Sequence, residues 1–219
     1  MGIAERKERE KEYKRALILE SAEKVILKKG LDHLNMDEVA EEAEVSKGSL
    51  YLYFKNKNDL VLGICHKASS MLNNDFARVL AKDIPGLKMV YELGNVFMNF
   101  VKERPEFFRA MKFLDNMNVT GEETESEYLN MCSQNRQEGF RVMVRAIQIG
   151  MQDGSIKTEY QPEELALLLW STSHGVVSIA YMHEHNESFN LLDRIGISQE
   201  QMFQSYMKII GNGIAKTDD

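Results

Sequence analysis

Three lysines, two tyrosines and two serines fall within SKGSLYLYFKNKN, residues 46–58, and no acidic side chain interrupts them. Ammonium groups and hydroxyls are donors suited to phosphate oxygens, and a glycine among them lets a backbone approach a ligand closely. On a short helix, Lys47, Gly48, Ser49, Tyr51 and Tyr53 share the outer side, while Leu50 and Phe54, four residues apart, form the buried side. A helix with so few apolar positions is not a core helix, and its exposed aromatics ask for a binding role. The chemistry that fits is contact with duplex DNA in the major groove. Lys47, Ser49 and Tyr51 would lie near bases or phosphates, Tyr53 on a phosphate, and Lys57 on another with the N-terminus of the next helix. Asn35, at the start of the preceding helix, completes the candidate contacts. Arginine, asparagine and glutamine, the bidentate base readers, are missing from this helix, so base readout would lean on hydroxyls, contact with thymine methyls and DNA shape. The bland alternative is a generic solvated helix.

The elements that must position these groups are legible on both sides. Asn35 reads as an N-cap with Glu38 three residues on, giving a helix from Met36 to Ala43 with Val39, Ala40 and Ala43 inward. Glu44-Val45-Ser46 makes the turn, with Ser46 capping a third helix from Lys47 to Phe54. A first helix over 5–29 opens with charge on all sides. It becomes apolar on one face from Leu17 and Ile18 through Val25 and Ile26, and ends at Gly30 in a left-handed cap. Asn56 caps a fourth helix from Lys57 to about Leu80.

Read together, these residues resemble the TetR (tetracycline-repressor-like) family of transcriptional regulators. Arg15, Ile18-Leu19, Ala22, Gly30, Asp37-Glu38-Val39-Ala40, Val45-Ser46-Lys47-Gly48, Leu50-Tyr51, Tyr53-Phe54, Lys57 and Asp59-Leu60 carry the likeness. The resemblance implies a helix-turn-helix DNA-binding domain at 1–55, phosphate roles for Tyr53 and Lys57, and an effector-binding and dimerisation domain at 56–219 entered through a connecting helix, 56–80. Two departures stand out. Leu34 replaces a residue that is usually Thr or Ser, so a phosphate contact there is lost. Glu44 stands where the family usually has Gly, so a positive φ there would store roughly 1 kcal/mol of strain.

Beyond Ile84-Pro85-Gly86, which marks a boundary, the pattern stays helical. Leu87 to Lys102 carries a stripe of Val90, Leu93, Phe97 and Phe100, and Pro105 opens a shorter helix with Phe107, Phe108, Met111 and Phe113. A polar loop over 116–123 precedes a long helix capped by Thr124 and Glu127, ending near Met151, with Tyr128, Cys132, Phe140, Met143 and Ile147 on one face. Pro162 opens a helix to about His183 that is apolar nearly all round and must be covered on more than one side. Ser198 with Gln201 caps the last helix, with a stripe of Met202, Tyr206, Ile209 or Ile210, and Gly213. These two final helices resemble those forming the family's four-helix dimer interface. Phe97, Phe100, Phe108, Met111, Tyr128, Cys132, Trp170 and His174 either line a cavity for an apolar or amphipathic effector or pack the core; 13 methionines suit an adaptable lining.

The fold class is therefore all-α, about nine helices. The net charge of -7 is uneven: the first 60 residues hold 12 basic and 13 acidic side chains, the remainder 15 and 21. Because screening limits reach to about 8 Å at physiological salt, a phosphate responds to the local lysines rather than to the total. Cys65 and Cys132 have no metal spacing and fit a reducing, cytoplasmic setting. The charged N-terminus is no signal peptide. The uncharged run Leu165 to Met182 contains Ser171, Thr172, Ser173, His174 and Gly175, and reads as a buried soluble helix rather than a membrane span. His183 and His185 lie on different faces, against a metal site. No nucleophile motif, phosphate loop or carboxylate pair is visible, so neither cofactor nor catalysis is implied. The expectation is a dimeric repressor of a palindromic operator, released by a small effector. The alternative is a helical ligand carrier or enzyme with a vestigial head.

Overall fold

The computed structural model describes residues 2–117, 126–186 and 188–216. Ten α-helices are found among them: α1 (Ile3–Lys29), α2 (Met36–Glu42), α3 (Lys47–Tyr51), α4 (Lys57–Leu80), α5 (Gly86–Glu103), α6 (Pro105–Asn116), α7 (Glu127–Asp153), α8 (Pro162–His185), α9 (Leu191–Ile195) and α10 (Gln199–Ile214). A single 3-10 turn, Leu31–His33, follows α1. The all-α class read from the sequence holds; the helix not anticipated is α9, a five-residue turn of chain too short for periodicity to mark. The cap expected at Thr124 lies outside the described residues.

The chain packs as two compact units, Met1–Ser70 with Glu106–Asn135 and Met71–Pro105 with Arg136–Asp219. In the first, Ile18, Ala22, Val25 and Ile26 of α1 bury against Val39 and Ala40 of α2, Leu50 of α3, Phe54, and Leu60 and Ile64 of α4. Tyr128 from α7 stacks on Phe54, ring centroids 5.6 Å apart. The sequence-derived head is thus embedded in a larger unit that includes α6 and the first turns of α7. Gly30 does not take the left-handed helical cap expected of it. Its φ of 81° and ψ of 160° lie in a region open essentially to glycine alone, from which the 3-10 turn starts.

In the second unit the α5 stripe is as read, with Val90, Leu93, Phe97 and Phe100 all buried. The first amides of α5 are capped from beyond α7: Gly86 N–H donates to Asp153 (2.7 Å) and Leu87 N–H to Ser155 Oγ (3.0 Å). Burial pushes the Asp153 carboxyl up, but bonds from Ser155 and Gly86 outweigh it and hold the group below the usual carboxylate value. The buried track of α7 in this unit is Val142, Ala146 and Ile147, while Phe140 and Met143 are half-buried.

The stripe of α10 is shifted by one position from expectation: Phe203, Met207, Gly211 and Ile214 are inside, and Met202, Tyr206 and Ile210 are half-exposed. The cause is close packing against α5. The Tyr91 ring occupies the space a side chain at 211 would need, and Met207 fills the space beside Gly94. The expectation that α8 is covered on several sides is also corrected. Leu165, Ala166, Leu169, Val177 and Ala180 are buried, but Leu167, Leu168 and Met182 are exposed. Within Pro162–Glu184 the helix is long and apolar enough to span a membrane by length and composition, an 18-residue stretch of it having mean hydropathy 1.4, and only 28% of that stretch is buried within the chain.

Candidate nucleic-acid interface

Helix α3 is five residues long and survives because both its ends are held. Ser46 Oγ accepts the Ser49 N–H at 3.1 Å, satisfying one of the free amides of the first turn. Leu50, fully buried, anchors the inner side. The helix stops at Tyr51 rather than Phe54 because its last turn tightens: Leu52 N–H bonds Ser49 O and Tyr53 N–H bonds Leu50 O, both three residues back. Phe54 still reaches the core through its bond to Leu50 O.

Helix α2 is seated by Asn35, whose Oδ1 accepts the Asp37 N–H at 2.9 Å. Glu38 does not close the expected capping box; its Oε1 takes the Lys29 ammonium at 2.8 Å instead. Glu44 in the turn has φ of 54°, so the strain expected for a non-glycine residue there is present. At the start of α4, Asn56 Oδ1 accepts the Asp59 N–H (2.9 Å) and Asp59 accepts the Lys55 N–H (3.0 Å) and the Ser126 hydroxyl (2.6 Å). The turn after α3 is therefore tied to Ser126, the residue just before α7.

On this frame Lys47, Gly48 and Tyr51 are exposed, Ser49 and Tyr53 are half-buried, and Gly48 has open space beyond its Cα. Lys47 is ion-paired with Asp37 at 2.6 Å and Lys57 donates to the Asp32 carbonyl at 3.0 Å, so both ammonium groups are held near the protein surface. An exposed pair of this kind holds a lysine weakly enough for a phosphate to displace its partner. Leu52 is 82% exposed beside Tyr51 and was missed in the sequence. Its off-face position between Leu50 and Phe54 was the available signal, and its chemistry suits a thymine methyl.

The residues weighed for an effector cavity divide between the units. In the first unit, Phe108 is buried, Met111 packs half-buried against the core, Tyr128 stacks on Phe54, and the Cys132 thiol donates to Leu62 O at 3.4 Å. In the second, Phe100 is buried, and a continuous ladder of rings runs from Phe140 to Trp170 (6.2 Å), His174 (5.3 Å) and Phe97 (4.7 Å). Phe140 and Trp170, with Leu167, Arg136, Gln137 and Arg141, line an open cavity of about 420 Å³. Two of its lining side chains are aromatic and two are arginines, of which Arg141 is paired with Glu138.

Two short helices joined by a tight turn, the second exposed and acid-free, define a helix-turn-helix DNA-binding head. A family model described as bacterial regulatory proteins, tetR family, matches residues 18–64, the segment that holds α2, α3 and the start of α4. An uncharacterised HTH-type transcriptional regulator of Haemophilus influenzae is 30% identical over 104 residues, which is 46% of this chain and 54% of that protein. The chain thus spans about half the length of this curated relative. A protein of unknown function from Rhodococcus sp. RHA1 superposes with a TM-score of 0.72 at 18% identity, covering 92% of this chain and 95% of the other. The TetR family regulator PfmR of Thermus thermophilus gives 0.64 at 16% identity, covering 89% and 97%. Residues 18–64 thus match the DNA-binding segment of the tetR family of bacterial regulatory proteins, and the chain shares its fold with solved structures that include a TetR family regulator.

Proposed function

We propose that the chain is a homodimeric repressor that grips a palindromic operator through α3 and lets go when a small apolar or amphipathic molecule binds its second unit. The observation that carries the DNA-binding part is the exposed, doubly capped α3 with Lys47, Gly48, Ser49 and Tyr51 on its outer side and Lys57 beyond it. Tyr53 and Lys57 serve as phosphate anchors, and Asn35 brings the N-terminus of α2, with its positive dipole end, toward the same strand.

Dimerisation is supported by two apolar stripes left open on one chain. On α8, Leu168, Thr172, Gly175, Ile179 and Met182 follow helical spacing and are exposed or half-exposed; on α10 the stripe is Met202, Tyr206, Ile209 and Ile210. A hydrogen bond between Thr172 and Tyr206, 3.0 Å, joins the two stripes. A second copy related by a two-fold axis would bury both, forming a four-helix contact, and would space two heads on successive major grooves.

For the effector, Phe140 and Trp170, backed by the stacked His174 and then Phe97, supply an aromatic surface in the cavity, and Arg136 and Arg141 in the same lining suit the polar end of an amphipathic ligand. A ligand that binds more tightly to chains whose heads mismatch the groove spacing shifts the population away from DNA, with α4 as the lever. The chain acts in the cytoplasm, without cofactor and without catalysis. The test is footprinting on the DNA upstream of its own gene, then a screen of apolar and amphipathic compounds for release. A protected palindrome released by one compound class supports the proposal. Protection that no such compound alters removes the effector reading and leaves the DNA reading intact.

A further inference from the structure

Lys57 is held at a junction to which α6 also contributes. Its ammonium donates to the main-chain carbonyl of Asp32 in the 3-10 turn at 3.0 Å. The carboxylate of the same Asp32, 75% exposed, is ion-paired with Arg109 of α6. Arg109 is itself fixed by Glu106, 3.3 Å away on the preceding turn of α6, and Glu106 accepts the Leu31 N–H at 2.8 Å. The guanidinium passes beside Gly30, at ordinary contact distance from where a side chain there would begin.

The carbonyl and carboxylate of one aspartate are separated by no more than about 5 Å of covalent geometry. Lys57 therefore sits within roughly one screening length of the Asp32 carboxylate. An anion drawn to Lys57 would meet that negative charge, and the carboxylate would compete with the anion for the ammonium. We infer that Arg109 is a positioning residue for DNA binding: by pairing with Asp32 it neutralises the one carboxylate of the 3-10 turn and keeps Lys57 available to a phosphate. This rests on the DNA-binding reading of Lys57 and adds a means of regulating it. Any rearrangement that draws α6 away from the 3-10 turn strips Arg109 from Asp32 and lowers affinity without moving α3. Glu106 contributes the other half of the attachment, because its carboxylate is engaged by the Leu31 amide and stays less exposed than Asp32.

The test uses the full chain and the operator duplex found by footprinting, with affinity read by fluorescence anisotropy across a salt series. Arg109→Gln is expected to weaken binding about three- to fivefold per head, and so about tenfold or more for a complex with two heads, most strongly at low salt. Asp32→Asn binds at least as tightly as the wild type, and Arg109→Gln/Asp32→Asn returns to within about twofold of Asp32→Asn. In a Lys57→Ala background, Arg109→Gln has little further effect. Thermal melting of each variant separates these effects from loss of fold. The inference is overturned if Arg109→Gln leaves affinity unchanged, or if its defect persists when Asp32 is neutralised, which would make Arg109 a direct phosphate contact or a packing residue. A wild-type chain without preference for its operator would instead overturn the DNA-binding reading, and this inference with it.

Discussion

If two copies pair through the α8 and α10 stripes as proposed, replacing Leu168 with glutamate should split them while leaving the single chain folded. The residue sits on the outward stripe of α8 with 54% of its surface exposed. Fully burying a leucine is worth about 2 kcal/mol, so the half still open accounts for about 1 kcal/mol when a partner covers it. A two-fold dimer covers it twice, which gives about 2 kcal/mol, or a roughly thirtyfold weaker dimerisation constant. Two carboxylates carried into an apolar contact add a desolvation cost, so thirtyfold is a floor. Glutamate is a good helix former at an exposed position, and the melting temperature of the isolated chain should not fall. Sedimentation equilibrium over a concentration series reads the constant directly, with Leu27→Glu, at a still more open position on α1, as the control. A Leu168→Glu chain that dimerises as tightly as the wild type refutes the assignment of the α8 and α10 stripes to the interface.

Other outcomes follow from the head. Tyr53→Phe and Lys57→Ala should each weaken operator binding without lowering thermal stability, and Lys57→Ala in both heads should reduce the slope of log affinity against log salt by about 1.8; loss of fold in both variants would assign these residues to packing. Glu44→Gly relieves the positive φ of 54° in the turn, and denaturant unfolding should show a gain of up to about 1 kcal/mol, less whatever glycine costs in chain entropy. Burial holds His66 below the ordinary histidine value of 6.5, and Asn135 donates to its Nδ1 at 3.1 Å, which favours the neutral ring. Its folded pKa lies below its unfolded one, so its contribution is intact above pH 6.5 and is lost as pH falls through that value toward the folded pKa. Urea unfolding at pH 7.5 and 5.5 should show this loss, and His66→Asn should reduce it.

The head was legible because its signals are local. A serine cap, an asparagine cap and a four-residue apolar spacing each act within one turn, so Ser46, Asn35, Leu50 and Phe54 sit as the sequence implies. What escaped were effects imposed by distant segments. Glu38 reaches Lys29 on α1 rather than closing its own cap, and Lys57 and Lys47 are engaged by Asp32 and Asp37. The register of α10 is set by Tyr91 and Gly94 of α5, far earlier in the chain, which moves the buried track from Met202 and Tyr206 to Phe203 and Met207. The eight residues weighed for the effector site shared only an aromatic or soft character. That character could not show that Tyr128 and Cys132 pack beneath the head while Trp170 and His174 join a ring ladder elsewhere. An all-round apolar α8 likewise reads as a core helix until its open face is seen beside that of α10.

Every DNA-related outcome above depends on α3 and Lys57 holding duplex DNA in a sequence-dependent way. Anisotropy titration of the wild-type chain, at increasing salt, against its own upstream DNA and a random duplex of equal length tests it most directly. Tighter binding to the upstream DNA is expected at every salt concentration, with affinity for both duplexes falling steeply as salt rises. Equal, weak affinity for the two duplexes would contradict it.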